Sequence, residues 1–467
     1  MSLDEFSVPT HVQRAISKAG YKLPSSMDSI ITQWHGWYTG SSSWYKESYI
    51  TVDDHRRSRD KMSIKPARRV CREWASVILN EATEISCESP LANTWLHDYL
   101  DRSNFWPTGQ ALVEKGFALG TAAWALWFNF ADNGAATMTM RRYDARMIVP
   151  LSWDEEGITE CAFVTRAFIK GKQADQVQMH VLDGGTYHII TMLFIDGKQV
   201  DPEACGALAD FDTECTTKTF GVFKPAIENT EADFSPYGMS VFADAVDAIK
   251  ATDITFDALF QEIELTEVKV FMSDELLDVR DDKGKTVPLP KGPKNRFFRK
   301  LFGQSGKDFY EVFSPDIRID PLKTAFNVAL GELGDLTGFG AQYFQLDKQG
   351  GLKTATEVSS DNSALMRNIR KHENVITGAL QDIITAVLTC ARIHLGANIE
   401  EDPGVISVLY DDSIITDTQG EKNMALAEIA ALGIPWLKEK YLVDFMALSP
   451  DEAKSLMPSQ EVVDTGF

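Results

Sequence analysis

One predicted helix sets the scale of any fold that this chain can adopt. Thr354 and Glu357 fit the capping box T-x-x-E, so we expect a helix from Ala355. Apolar residues then recur every three or four positions as far as Leu395. A helix of roughly 40 residues is ~60 Å long, twice the diameter of a small domain. Its second half is more apolar than its first, so we expect one buried end and one projecting end.

Two further helical patterns flank a segment of different composition. The first runs without proline or glycine from Val241 to Glu264, and the second from Pro321 to about Gly338. The apolar stripe of the first, with its carboxylates mostly off it, comprises Val241, Ala245, Ile249, Phe256, Leu259 and Ile263. The second has Gly331, Gly334 and Gly338 on one face. This face predicts close approach of another backbone, either at a subunit contact or channel wall or in ordinary helix packing.

Charge is segregated along the chain. The formal net charge is −22, yet residues 280–307 hold nine Lys or Arg and two Asp, a local balance of +7 that leaves −29 for the remainder. A simple nucleic-acid binder is basic. Any contact of this chain with DNA must therefore be local or must tolerate repulsion.

The N-terminal 130 or so residues are predicted to be mainly helical, with an aromatic-rich loop at Trp34 to Lys46. An amphipathic helix should begin at Pro66 and a largely buried one should cover Gly109 to Trp127. From about Thr137 to Phe223 the period changes to two, with Asp-Gly and Gly-Gly turns. These are hairpin signals, so the fold class is α+β, with an antiparallel region inside a helical chain.

No pattern in the sequence indicates catalysis. The six cysteines lack CxxC spacing, which predicts reduced, mostly buried thiols. HExxH and GxSxG motifs are missing, and Tyr410-Asp411-Asp412 fits a strand-end turn better than a metal pair. The most apolar run, Phe117 to Ala131, is shorter than the roughly 18 residues of a membrane span, and no signal peptide precedes it. We expect a soluble, cytoplasmically made protein with no cofactor, metal or enzymatic activity.

Four stretches, in this order, carry a resemblance to a known family. They are WHGWYTG from Trp34, ARRVCREWASVILNEATEI from Ala67, SPYGMSVFADAVDAIKATDITFDALFQEIEL from Ser235, and KTATEVSSDNSALMRNIRKHE from Lys353. The chain resembles the portal proteins of tailed bacteriophages, of the compact siphophage type, from about Gln33 to Asp417. The C-terminal tail matches this family only loosely.

The resemblance implies a portal-type fold with named parts. These are a wing of N-terminal helices and antiparallel strands (1–234), a first stem helix (235–267), a small α/β clip (268–320), a second stem helix (321–341), a tunnel loop (342–353), a long wing helix with a return strand (354–419), and a helical crown (420–467).

It also implies functional residues. The tunnel loop would contact DNA through Lys348, Gln349 and Lys353. An acidic wall that repels DNA and lets it slide would comprise Asp244, Asp247, Asp253 and Asp257, although these carboxylates could equally form a solvated outer face. The clip would dock partners through Lys291, Lys294, Arg296, Phe297, Phe298, Arg299 and Lys300.

The partners implied by the resemblance are those of a virion protein at the capsid portal vertex, assembled in the host cytoplasm. They are about twelve copies of the chain in a ring, double-stranded DNA held without sequence specificity, the terminase large subunit, head-completion or connector proteins, and a major capsid or scaffolding protein. Neither a membrane nor a cofactor is expected. Two alternatives stay open: a capsid-associated adaptor or minor head protein without a channel, and a metal-dependent phage nuclease.

Overall fold

The structure is a computed structural model that divides into two units, Met1–Val408 and Leu409–Phe467. It describes residues 6–25, 27–50, 54–80, 82–130, 136–169, 171–203, 208–272, 297–299, 310–346, 355–410, 426, 429 and 435–446. In the second unit the described residues include one helix, Pro435–Met446, in which the Lys440 ammonium lies over the Trp436 ring.

Runs of helices and runs of strands follow one another along the chain, as is typical of an α+β fold. The helices are α1 (Thr10–Lys18), α2 (Asp28–Thr39), α3 (Pro66–Ile78), α4 (Pro90–Arg102), α5 (Phe105–Leu119), α6 (Val246–Leu265), α7 (Ile319–Leu336), α8 (Ala355–Leu395) and α9 (Pro435–Met446). The strands are β1 (Lys46–Ile50), β2 (Arg56–Asp60), β3 (Glu84–Cys87), β4 (Ala122–Phe130), β5 (Ala136–Asp144), β6 (Ile148–Asp154), β7 (Gly157–Ile169), β8 (Lys172–Asp183), β9 (Thr186–Ile195), β10 (Lys198–Val200), β11 (Asp210–Asp212), β12 (Phe220–Phe223), β13 (Lys269–Met272), β14 (Phe297–Arg299), β15 (Tyr310–Phe313) and β16 (Ile406–Leu409).

The predicted antiparallel region is confirmed. Strands β6 to β10 form one sheet in the order β10-β9-β8-β7-β6, with β11 also paired to β9. Helix α1 covers one face of this sheet, because Val12 and Ile16 pack against Val164 and Val177 in a buried cluster. The alternating pattern of the strands thus places the apolar side chains of one sheet face under helix α1.

A second sheet, in the order β12-β4-β5, supports the long helix α8. The predicted bounds of this helix, Ala355 to Leu395, are confirmed. Its C-terminal half is buried, with Leu380, Ile383, Val387 and Ala391 inaccessible to solvent. At Gly221 on β12 a Cβ atom would collide with the carbonyl group of Ala379. The helix backbone can therefore lie directly on this strand only because glycine has no side chain.

The helix predicted from Gly109 to Trp127 is wrong in its second half. Helix α5 ends at Leu119, Gly120 adopts a left-handed conformation with φ +81°, and the chain continues as strand β4. Trp124 and Trp127 on this strand are buried, and α5 and α8 both contact β4. A strand covered on both faces is apolar throughout, and its pattern cannot be distinguished from that of a buried helix.

Two further predictions need correction. The tryptophan-rich loop is in part helical, since Trp34 and Trp37 lie on α2, which ends at Thr39. The helix predicted to begin at Val241 begins at Val246, after a 3-10 turn at Ala243–Ala245. Its predicted apolar stripe is also wrong in part, because Ile263 is 45% exposed whereas Asp253 is fully buried.

Among the described residues, one helical segment is long and apolar enough to cross a membrane by length and composition. This segment, Ala364–Leu395, belongs to α8, and 56% of its most apolar window is buried inside the chain. Its apolar side chains are thus explained by packing on the β12-β4-β5 sheet.

The contact between α8 and β12 predicts opposite effects for two neighbouring glycines. Gly221→Ala should lower the free energy of unfolding by roughly 2 kcal/mol or more, because the obstructing atoms are backbone. Gly378→Ala, on α8 with open space around it, should raise it by up to about 1 kcal/mol through helix propensity. Chemical denaturation of both variants measures the difference. Equal effects would show that α8 does not lie this close to β12.

Candidate functional site

The structure divides the predicted site residues into three groups. The four candidate wall aspartates are described: Asp244 lies in the 3-10 turn before α6, and the other three lie within α6. Phe297, Phe298 and Arg299 form strand β14, which is parallel to β13 in a sheet ordered β14-β13-β15. The predicted site residues outside the described ranges are Lys291, Lys294, Arg296, Lys300, Lys348, Gln349 and Lys353.

Asp253 faces the interior of its own chain. Its carboxylate accepts hydrogen bonds from the Tyr45 hydroxyl at 3.1 Å, the Ser63 hydroxyl at 2.8 Å and the Ile64 backbone N–H at 3.1 Å. Burial raises the pKa of Asp253, and these hydrogen bonds oppose that rise. Such a carboxylate holds the chain segment after β2 against α6 and presents no charge to solvent.

Asp257, one helical turn further, is paired in the same way. The Arg59 guanidinium donates two hydrogen bonds to its carboxylate, at 3.1 and 2.8 Å, and the Met62 backbone N–H donates a third at 3.0 Å. Burial acts to raise the pKa of Asp257, but these donors outweigh it and leave the pKa lowered. The wall role predicted for Asp253 and Asp257 therefore does not fit their burial, because both carboxylates face contacts within the chain.

Asp244 and Asp247 differ from this pair because both are exposed. Asp247 contacts the Lys250 ammonium at 2.8 Å, but its side chain remains 93% exposed. An ion pair so exposed contributes little stability, and its carboxylate stays accessible to solvent. These two residues are the predicted wall positions that remain on the surface of the described chain.

An ion pair joins the two ends of the segment between α6 and α7. The Arg318 guanidinium donates to both carboxylate oxygens of Glu262, at 2.9 and 2.8 Å. The hydrogen bonds from Arg318 hold the pKa of Glu262 below its usual value. Since Glu262 lies near the end of α6 and Arg318 immediately precedes α7, this bidentate contact fixes where the inserted segment leaves the helix pair.

Residues 337–346, which we call the loop anchor, follow α7 and include residues 342–346 of the tunnel loop predicted at 342–353. Gly338 and Gly340 adopt left-handed conformations with φ +84° and +89°, and the backbone N–H groups of Phe339 and Gly340 bond to the Gly334 carbonyl. A Cβ atom at Gly334 would collide with the Gly340 carbonyl oxygen. The close approach predicted for the glycine face is therefore confirmed, and the approaching backbone belongs to the same chain.

Side chains of α3 hold the loop anchor from one side. The Trp74 indole N–H donates to the Thr337 carbonyl at 3.0 Å, and the Trp74 ring lies 4.3 Å from that of Phe339. Further along, the Arg69 guanidinium lies over the Phe344 ring at 5.2 Å. Phe339 and Phe344 are only 3% and 2% exposed. Two buried aromatic side chains thus fix the segment that leads into the loop.

Helices α7 and α8 hold the anchor from the other side. The Asn368 amide on α8 donates to the Gly338 carbonyl at 2.9 Å, and the Leu346 N–H donates to the Asn327 side chain on α7 at 3.1 Å. Near Asn368, His372 packs edge-on against the rings of Trp74 and Phe117. His372 is a hydrogen-bonded core residue, because it is buried and its Nδ1 accepts from the Ala226 N–H at 3.0 Å.

Sequence reasoning overlooked the loop anchor and the basic segment that supports it. Residues 56–72 contain eight Lys or Arg and one Asp, a run that could have been recognised from its composition. In the structure several of these cations bind the chain itself, as Arg59 binds Asp257 and Arg69 covers Phe344. Within the described ranges no cluster of His, Cys, Asp and Glu side chains has the arrangement of a metal site.

The sequence comparison defines the class of protein. A model of the family described as phage portal protein, SPP1 Gp6-like, matches residues 29–435 of the 467. The match covers most of the chain, and the chain therefore belongs to this family of phage portal proteins. A search of curated proteins found no match. Membership makes the chain a capsid component of a bacteriophage virion and connects it with genome packaging, in a family that is structural rather than enzymatic.

The buried imidazole of His372 predicts a pH dependence of stability. Burial lowers its pKa to about 4 in the folded chain, whereas an unfolded histidine titrates near 6.5. Between these values the unfolded state binds the additional proton, so stability falls as pH falls from about 6.5 and the loss is complete near pH 4. The loss from this group should amount to about 3 kcal/mol.

His372→Asn keeps an acceptor for the Ala226 N–H and removes the titration. The variant should lose less stability than the parent between pH 7 and pH 4.5, whatever its stability at pH 7, as measured by urea denaturation at each pH. His97→Asn, at a half-buried position on α4, serves as the control. If the His372 variant and the parent lose stability in parallel, His372 is protonated in the folded chain.

Proposed function

We propose that this portal protein assembles into a homo-oligomeric ring of about twelve subunits at one capsid vertex. Its central channel would admit the genome during packaging and release it during ejection. The observation that carries this proposal is the family match over residues 29–435. The loop anchor adds a structural argument for a channel loop. It holds the chain at Leu346, on one side of residues 347–354, and α8 begins at Ala355 on the other side.

In this proposal α6 and α7 form the stem, and the acidic wall is restricted to exposed carboxylates. Asp244 and Asp247 are its candidates among the four predicted residues, because Asp253 and Asp257 are used within the chain. Phosphate contacts dominate DNA affinity, so a uniformly basic channel would retain DNA. Carboxylates repeated around a ring would instead repel the phosphates and favour sliding.

Lys348, Gln349 and Lys353 would contact the DNA from the tunnel loop. Lys348 is two residues beyond Leu346 and Lys353 two residues before Ala355. Chain length alone keeps each α-carbon within roughly 7 Å of that neighbouring ordered residue. The loop anchor and the start of α8 would therefore determine where these charges lie. Their contacts with phosphates would be modest, screened by salt and independent of the DNA sequence.

The segment between α6 and α7 would be the clip, which docks the terminase large subunit during packaging and head-completion proteins afterwards. Its local charge of +7 over residues 280–307 contrasts with the acidic chain and suits an acidic partner surface. The candidate docking residues are those predicted from the sequence, from Lys291 to Lys300. The wing, which carries the large antiparallel sheet, would contact the major capsid or scaffolding protein.

The second candidate is a minor head or adaptor protein without a channel. One observation favours it: the glycine face of α7 is occupied by the chain's own loop anchor, so those glycines do not require a neighbouring subunit. Negative-stain electron microscopy and native mass spectrometry of the purified protein distinguish the candidates. We expect closed rings with a central hole, and a protein that stays monomeric or dimeric at all salt concentrations would overturn the ring.

The loop lysines provide a test of the channel itself. Lys348→Ala combined with Lys353→Ala should leave ring assembly unchanged and should shorten the packaged DNA or reduce its retention, because each ring loses its phosphate contacts. The matched control replaces Lys172 and Lys198, two exposed lysines on the large sheet, which removes the same charge elsewhere. The length of nuclease-protected DNA in purified heads is the readout. If the loop variant retains full-length DNA as the control does, these lysines do not contact the genome.

A further inference from the structure

Two cysteines that are far apart in the sequence meet in the core. The Sγ atoms of Cys215 and Cys390 are 3.0 Å apart although the residues are 175 positions apart in the sequence, and both residues are 0% exposed. The other cysteines among the described residues are Cys71, Cys87 and Cys161. They are free and buried, and no sulfur–sulfur contact links them. The pair thus places two thiols in direct contact, shielded from solvent.

Both thiols are attached to ordered backbone. Cys215 follows β11, and its carbonyl accepts a hydrogen bond from the Tyr187 N–H of β9 at 2.8 Å. Two residues earlier, the Thr213 hydroxyl donates to the Tyr187 carbonyl at 2.6 Å. Cys390 lies in the buried half of α8. The short distance between the sulfur atoms is therefore a property of the packed sheet and helix.

We propose that Cys215 and Cys390 form a two-electron redox site, which a small peroxide oxidises to a disulfide that ties the β11–β12 connection to α8. Reduced thiols are the expected state inside a cell. A virion component leaves that environment when the particle is released. The inference depends on the thiol geometry and not on the proposed ring, channel or docking functions.

The reaction balances with one hydrogen peroxide for each pair of thiols. The Cys215 thiolate attacks one peroxide oxygen, the O–O bond breaks, and hydroxide leaves to take up a proton as water. The Cys390 sulfur then attacks the sulfur of the resulting sulfenic acid. The S–O bond breaks, and the departing hydroxyl takes the Cys390 proton to form a second water. The two cysteines are oxidised and the peroxide is reduced.

The surroundings of the two thiols indicate which one attacks the peroxide and which one attacks the sulfenic acid. The hydrogen bond from the Cys390 thiol lowers the pKa of Cys215, and this effect outweighs burial, which acts to raise it. The Cys390 thiol, which donates that bond and is buried, has a raised pKa. Cys215 is accordingly the attacking thiol and Cys390 the resolving thiol. Full burial excludes large thiol reagents, so only a small oxidant reaches the pair while the chain is folded.

The test compares the full-length protein after treatment with excess hydrogen peroxide or with dithiothreitol. Each sample is denatured, its free thiols are alkylated, and its peptides are analysed by mass spectrometry. We expect the oxidised parent to lose two alkylatable thiols and to yield a Cys215–Cys390 linked peptide. Its melting midpoint should rise by about 3 °C or more, because the cross-link restricts the unfolded chain.

Cys215→Ser and Cys390→Ser should each abolish the linked peptide and the midpoint shift. In Cys390→Ser the sulfenic acid of Cys215 should persist and react with dimedone once the oxidised chain is denatured. Cys161→Ser, at a buried cysteine without a neighbouring thiol, is the matched control and should behave as the parent. Since the buried serine variants could fail to fold, the parent is also refolded in a glutathione redox buffer. A parent that forms no linked peptide after either peroxide treatment or refolding, or one that pairs other cysteines instead, would falsify the redox site.

Discussion

The fold depends on one close contact, the packing of helix α8 against strand β12. The backbone of α8 can approach this strand because Gly221 leaves space beside Ala379. That contact buries the apolar half of a helix whose other half carries the chain towards the loop anchor. Trp74 and Gly338 then contact α8 at His372 and Asn368. Hydrophobic burial of its C-terminal half thus helps to position Asn368 and His372 beside the loop anchor.

Long amphipathic elements were predictable from the sequence, and elements buried on two sides were not. The capping box at Thr354 located the start of α8 correctly, because caps and helical spacing are local signals. The sequence predicts helix where strand β4 begins, since residues 122–128 are all buried and show no period of two. Asp253 and Asp257 were assigned to an accessible face, because their partners lie about 190 positions away in the sequence. Only the folded chain brings those partners together.

The candidate site was also predictable only in part. The glycine face of α7 correctly predicted that another stretch of backbone approaches this helix closely. The identity of the approaching backbone, the chain's own Gly340, depends on a turn with two left-handed residues. The supporting aromatic side chains are spread from Trp74 to His372, a separation over which periodicity gives no information.

The bidentate contact of Arg318 with Glu262 has a consequence for how this protein could change during evolution. The contact joins the two ends of an insertion at the point where it leaves the helix pair. Because Glu262 and Arg318 lie at the two ends of this insertion, a change in the length or composition of the residues between them removes neither partner of the contact. A chain built in this way can exchange its inserted segment for another while α6 and α7 are inherited unchanged, and under the proposed docking role each exchange would bring a different set of binding partners.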